Sequence, residues 1–206
     1  TDRIGGAIAS MLVEKGVSVT VTGRSACKNK DTSFIRWSYE EDGIEAFEKG
    51  ELKKALSECD ILCCCYGPFL QKPVVLMTAG EWQKISLANY ALPGYLASSA
   101  LQYMVKQKWG RILLFGGTRT DSVRAYHTNA AYAGAKTGIS VLVKSIAMEY
   151  SQKGVTCNAI LPGFTNDPPP GAATVTPQKI ASKAYFLLNS EELNGVLLNV
   201  DSGWSL

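Results

Sequence analysis

Gly110-Arg111-Ile112-Leu113-Leu114-Phe115-Gly116 decides the fold. The apolar run is too short for a helix and does not alternate with polar residues. It is bounded by glycine, which is how a strand buried on both faces of a parallel sheet reads. Asp60-Ile61-Leu62-Cys63-Cys64-Cys65-Tyr66-Gly67 is a run of the same kind, and a long helical pattern over residues 82–108 separates the two. Downstream, a helix ending at Lys153-Gly154 leads into a third strand over residues 155–161. Upstream, Ile4, Ile8, Met11 and Leu12 recur at helical spacing, with Gly16 as the C-terminal cap. Residues 17–22 then alternate as a strand does. Thr176-Pro177 opens a further helix, threonine as N-cap and proline in the first turn. Residues 195–200 form the last strand. Repeated strand–helix units predict an α/β fold, a single-domain doubly wound parallel sheet over residues 1–206. Such sheets bind ligands at the carboxyl ends of their strands.

The opening, Thr1-Asp2-Arg3-Ile4-Gly5-Gly6, reads as a helix start with no strand before it. A doubly wound sheet places its central strand first, so a first strand of about 10–15 residues is expected to be missing from the sequence. The other explanation, a fold without its middle strand, would leave a gap in the core.

Composition excludes several classes. Hydrophobic residues make up 46% and charged residues 19%, ordinary for a globular protein. A net charge of +3 is too small to argue for nucleic acid or a membrane surface. No apolar run reaches membrane length, and no signal peptide is visible. Six cysteines are present, Cys63 to Cys65 consecutive. Neighbours on a strand point to opposite faces, which suits neither a shared bridge nor a metal, so they read as reduced core thiols of a cytoplasmic protein. With His127 as the one histidine, neither a histidine-based triad nor a multi-histidine metal site is expected.

The chemistry is carried by Tyr132 and Lys136 in Ala131-Tyr132-Ala133-Gly134-Ala135-Lys136. Four residues are one helical turn, so both side chains leave the same face. An ammonium beside a phenol is expected to pull the tyrosine pKa down toward neutrality and so to tune it for proton transfer at a carbonyl or alcohol oxygen.

In order along the chain, these pieces resemble the short-chain dehydrogenase/reductase family, particularly its 3-oxoacyl-carrier-protein-reductase-like members. Arg3-Ile4-Gly5-Gly6-Ala7-Ile8 is similar to the second half of the family's glycine-rich cofactor turn, with Arg3 where glycine is usual. Asp60 to Gly67 resembles the strand ending in Asn-Asn-Ala-Gly, of which only Gly67 is kept. Trp82 followed by Asn89 matches the helix carrying the family's asparagine. Gly110 to Phe115 matches the strand leading to its serine, and Tyr132 and Lys136 match its catalytic pair. Gly154-Val155-Thr156-Cys157-Asn158 through Pro162-Gly163 resembles the turn beside the nicotinamide, and Asn199-Val200-Asp201-Ser202-Gly203 the C-terminal signature. The stretch after Pro162-Gly163 is short where the family carries a helical substrate lid.

The resemblance implies an NAD(P)-binding Rossmann domain that transfers hydride between NADPH and a carbonyl or alcohol substrate. Tyr132 is the implied general acid, and Lys136 its pKa-lowering partner and ribose ligand. Asn89 is the implied relay asparagine, whose carbonyl is freed because Pro93 has no N–H to give it. The serine position falls on Gly117, and Thr118 is the expected substitute. The implied cofactor contacts are Arg3, Ile4, Gly5, Arg24, Ser25, Gly67, Tyr132, Lys136, Pro162 and Gly163, with no metal. Gly23-Arg24 offers an arginine and no carboxylate where cofactor choice is made, so NADP is expected over NAD. Apolar and small residues on several sides of the helix bearing Tyr132 predict a homodimer or homotetramer, as the family forms. The competing reading is a catalytically weak or silent nucleotide-binding sensor or interaction protein, favoured by the absent serine and the altered Cys64-Cys65-Tyr66-Gly67 tetrad. Lys136 counts against the family's cofactor-free dehalogenase branch.

Overall fold

The computed structural model describes residues 3–26 and 28–205. Thr1, Asp2, Cys27 and Leu206 lie outside the described residues, and so does the thiol reading made for Cys27.

Helix α1 (Ile4–Glu14) ends at Gly16, whose φ of +80° is the left-handed conformation glycine adopts without strain. Strands β1 (Thr20–Gly23) and β2 (Ser33–Arg36) follow, then α2 (Tyr39–Lys49), α3 (Glu51–Leu56) and β3 (Ile61–Cys64). The predicted 82–108 helix is three pieces: α4 (Ala79–Ser86), a π-helical turn (Leu87–Ala91) and α5 (Leu92–Gln107). Beyond it run β4 (Gly110–Phe115), α6 (Ala130–Tyr150), β5 (Val155–Pro162), α7 (Pro177–Leu188) and β6 (Leu197–Val200). Thr176 caps α7 by accepting from the Lys179 N–H at 3.3 Å, and Pro177 takes the first helical position. A cap of this kind is worth about 1 kcal/mol.

Every strand pairing is parallel. β3, β4, β5 and β6 lie side by side in that order, with Leu62 against Ile112, Leu114 against Ala159 and Ile160 against Leu198. β1 pairs with β2 in a separate ladder. Among the described residues no ladder joins β1 to β3, so the sheet is divided at the place the sequence assigns to its central strand.

Helices cover both faces, which makes the fold a doubly wound α/β sheet. One face packs Leu62, Cys64, Ile112, Leu114, Cys157 and Ala159 against Phe47, Leu96, Met104, Ile139 and Val143 of α2, α5 and α6. The other packs Leu113, Phe115 and Ile160 against Ile8 and Leu12 of α1 and Ile180, Ala184 and Leu187 of α7. The triple cysteine obeys the strand alternation: Cys64 joins the first cluster, while Cys63 and Cys65 lie against the second. All three are free thiols that burial pushes up, Cys63 to about 12 and Cys64 to about 11, so they act as small core hydrophobes.

Candidate active site

The carboxyl ends of β3, β4 and β5 gather the predicted site residues. Tyr132 and Lys136 sit in the first two turns of α6, and Lys136 is 4% exposed. Its Nζ donates to the Phe115 carbonyl at the end of β4, at 2.8 Å. It lies 6.0 Å from the centre of the Tyr132 ring.

Asn89 falls inside the π-helical turn, where Leu92 N–H bonds the Leu87 carbonyl five residues back. Such bulges are common at functional sites because they turn one residue off the regular ladder. Here the turn aims the Asn89 side chain inward. Its Nδ2 donates to the carbonyls of Pro68 at 2.9 Å and Ile85 at 3.1 Å, while Oδ1 is buried with no partner. Gly67 closes this arrangement. A Cβ built there would lie 2.4 Å from Asn89 Oδ1 and 2.9 Å from Lys136 Nζ, so only glycine fits between the two polar groups. An unpartnered buried acceptor beside a buried ammonium suits a polar ligand.

Burial dominates the electrostatics. Desolvation holds the Tyr132 phenol up to about 12 and the Lys136 ammonium down to about 8. The sequence reading expected the tyrosine to be lowered. The lysine charge is spent on the Phe115 carbonyl and stands off the ring, so desolvation wins. A phenol with a raised pKa is fully protonated at neutral pH, ready to give a proton to a carbonyl oxygen.

Gly117 occupies the serine position and faces Tyr132 directly. A Cβ on Gly117 would lie 3.2 Å from Tyr132 Cε1 and 3.4 Å from its hydroxyl. The Thr118 hydroxyl instead donates to the Pro162 carbonyl at 3.0 Å, tying β4 to the end of β5. The buried Thr120 hydroxyl accepts from the Gly117 N–H at 2.9 Å and donates to the Gly117 carbonyl at 2.8 Å. Tyr132, Lys136, Asn89 and Gly67 thus come together, while Thr118 serves the Pro162-Gly163 turn. That turn is fixed from below: Gly163 N–H donates to the Val200 carbonyl at 2.9 Å, and a Cβ on Gly163 would strike Asp201 Cα at 2.7 Å. Residues 163–176 contain no helix; Val175 N–H bonds the Phe164 carbonyl at 2.8 Å, and Phe164 stacks edge-on to Trp204.

The residues expected to touch a cofactor divide between two ends. Arg3 is the N-cap of α1, and the first turn of that helix carries no acidic side chain and no side-chain cap bond, which leaves its N–H groups for an anion. Gly5 lies against Cys65 beyond β3, with its Cβ position 3.5 Å from Cys65 Cβ. Arg24 and Ser25 are exposed beyond β1. Their surroundings include residues that the sequence reading missed. Lys84 of α4 pairs with Glu40 of α2 at 3.0 Å and holds its carboxyl below the usual range, with Tyr66 and Arg24 acting in the same direction. Burial and the Glu40 carboxylate push the Tyr66 phenol up to about 12. Nothing in the spacing of Glu40, Tyr66 and Lys84 signals this cluster, because three separate elements bring it together. Elsewhere, an open groove of about 610 Å³ between α7 and residues 199–203 is lined by Lys179, Lys183 and Asp201 and by none of the predicted site residues.

The sequence model described as short chain dehydrogenase matches residues 1–177. The chain belongs to the short chain dehydrogenase family, oxidoreductases that pass hydride between a nicotinamide cofactor and a carbonyl or alcohol. It is 31% identical over 231 residues to the 3-oxoacyl-[acyl-carrier-protein] reductase FabG of Vibrio harveyi, covering 97% of this chain and 92% of that protein. It is 23% identical over 248 residues to the D-beta-hydroxybutyrate dehydrogenase of Rhizobium meliloti, covering 100% and 95%. Among solved structures, a 4-hydroxyisoleucine dehydrogenase complexed with NADH and succinate superposes with a TM-score of 0.83 at 22% identity, over 99% of this chain and 95% of that one. A short chain dehydrogenase from Bacillus anthracis str. 'Ames Ancestor' does so with a TM-score of 0.83 at 21% identity, over 98% and 92%.

Proposed function

We propose that this chain is an NADPH-dependent carbonyl reductase, running in reverse as an alcohol dehydrogenase, with Tyr132 as its general acid and base. One observation carries the reading: at the carboxyl ends of β3 and β4 the Lys136 ammonium and the orphaned Asn89 amide oxygen meet around Gly67, which must be glycine, with the Tyr132 ring 6.0 Å from the ammonium. Bound cofactor supplies the hydride. The rest is this chain's work. Arg3, Ile4 and Gly5 at the start of α1 would hold the pyrophosphate, Gly67 and the Pro162-Gly163 turn the nicotinamide end, and Lys136 the ribose. Tyr132, protonated at neutral pH, gives its proton to the carbonyl oxygen; the phenolate is then reprotonated from solvent, with the Lys136 ammonium as the nearby donor and Asn89 holding the water that resupplies it.

Arg24 supports the choice of NADPH. Arg24 is exposed beyond β1, and Glu40, the carboxylate whose field it shares, is paired with Lys84 at 3.0 Å, so the guanidinium can also take a 2′-phosphate. Dissociation constants for both cofactors at one salt concentration test this. NADPH should bind at least about tenfold more tightly, and Arg24→Ala should weaken NADPH alone. Equal affinities would refute the choice. A cofactor-oxidation screen over ketones, acetoacetyl thioesters and enoyl thioesters tests the reaction, and oxidation with none of them would refute it.

The whole chain acts as one NAD(P)-binding domain. Val141 and Met148 on α6 are 61% and 77% exposed, apolar surface that a two-fold mate would cover, so a homodimer or homotetramer is expected in light scattering. The free thiols fit a cytoplasmic protein. No helix among the described residues is long and apolar enough to cross a membrane.

A further inference from the structure

Phe69 lies two residues beyond Gly67, and its ring stands edge-on to the Tyr132 ring, with centroids 4.9 Å apart and an interplanar angle of 78°. The ring is nonetheless 61% exposed. A single exposed apolar side chain is ordinary. This one is not loose, because its segment is tied down on both sides. Before it, the Pro68 carbonyl accepts from Asn89 Nδ2 at 2.9 Å. After it, Gln71 Nε2 donates to the Thr128 hydroxyl at 3.0 Å, Lys72 N–H donates to the Thr128 carbonyl, and Lys72 Nζ pairs with Glu81 at 2.8 Å. Thr128 accepts these bonds from a left-handed conformation, φ +60°, just before α6. The loop after β3 is thereby latched to the loop before α6, with an aromatic face held open beside the reacting hydroxyl.

Where Tyr132 faces Gly117 it meets no side chain. Gly117 has no side chain to offer, and the hydroxyls of Thr118 and Thr120 are bonded to backbone groups. A carbonyl oxygen at Tyr132 therefore meets one donor, with an aromatic wall on one side and backbone on the other. Phe69 gives an aromatic substituent a ring to pack on, while Gly117 and the two bonded threonine hydroxyls offer a polar one no free side-chain donor on that side.

We propose that Phe69 is the specificity-determining wall of the substrate site, and that the enzyme selects carbonyl compounds whose carbonyl carbon carries an aromatic or comparably flat apolar group. The proposal rests on the carbonyl-reductase reading for its reaction but not for its binding, and the test separates the two. Acetophenone and 2-butanone are titrated into the full chain saturated with NADP⁺, which prevents reduction, and binding is read by saturation-transfer NMR. The aryl ketone should bind about tenfold more tightly, the scale of one aromatic pair. Phe69→Ala should remove most of that preference and Phe69→Leu part of it, with the NADP⁺ dissociation constant as the check on folding. Equal binding of the two ketones, or a preference that survives Phe69→Ala, overturns the proposal. Turnover with NADPH is measured alongside. Aryl-selective binding without oxidation of NADPH keeps the wall and sinks the reductase reading. Turnover of both ketones with no aryl preference does the reverse.

Discussion

Gly67→Ala is the smallest change that should disable the site. The added methyl would stand 2.4 Å from Asn89 Oδ1 and 2.9 Å from Lys136 Nζ. Ordinary contact would require the amide to retreat by about 1 Å, and a displacement of that size near the reacting atoms costs on the order of a hundredfold in rate. Neither neighbour can yield freely. Asn89 is held by the carbonyls of Pro68 and Ile85, and Lys136 by that of Phe115. Overpacking of this kind should also cost about 1–3 kcal/mol of stability. The assay is NADPH oxidation with the best substrate from the ketone and thioester screen, beside thermal unfolding of the same preparation. Gly80→Ala is the control, because a Cβ there meets nothing within 4 Å. The expected outcome is a folded Gly67→Ala protein with turnover reduced about a hundredfold, and Gly80→Ala near wild type. A folded Gly67→Ala protein with wild-type turnover would refute the idea that Asn89 and Lys136 act from these positions.

Lys136 predicts two pH effects. Reduction should hold level through neutral pH and fall above about 8 as the buried ammonium loses its proton, while Tyr132 stays protonated to about 12; a plateau reaching pH 10 would count against Lys136. Its folded pKa lies below the unfolded 10.5, so the contribution of Lys136 itself to stability should rise with pH from about 8 to 10.5, by up to about 3 kcal/mol, while the buried thiols, whose pKa values are raised, take stability away above about 9. Urea denaturation of wild type and Lys136→Met side by side checks it: the stability of wild type relative to the variant should climb by that amount across the range, and a difference that stays flat would refute it. Thr118→Val should act through the Pro162 turn, weakening cofactor binding more than kcat. A kcat lowered about a hundredfold at unchanged cofactor affinity would instead place the Thr118 hydroxyl on the substrate, in the role the absent serine suggested.

The sequence was most legible where burial is most complete. β4 and β5 are fully or nearly fully buried, and both were placed to within a residue or two because continuous apolar runs have one reading in a parallel sheet. The caps at Gly16 and Thr176 were equally plain, since each rests on local backbone chemistry. Residues 24–59 gave little. β2 is four residues long and mostly exposed, so it shows no burial period. Gly43, at φ +69°, interrupts α2 and blurs its helical pattern. In the candidate site, that Tyr132 and Lys136 share a face was legible because helical spacing is local, while Asn89 rested on the family resemblance, with Pro93 in support. The Phe69 wall, the latch at Thr128 and the Glu40–Lys84 pair were not legible, because each joins elements far apart in the chain. The direction of the tyrosine shift was misjudged for a related reason: adjacency on a helix says nothing of how deeply the pair is buried.

The central claim is that Tyr132 carries the proton. Turnover of Tyr132→Phe with NADPH and the best substrate from the screen, beside its NADPH dissociation constant, tests it most directly. The account predicts a loss of about 10²–10⁴-fold in kcat with cofactor affinity nearly unchanged. A Tyr132→Phe protein that reduces its substrate at the wild-type rate would contradict it.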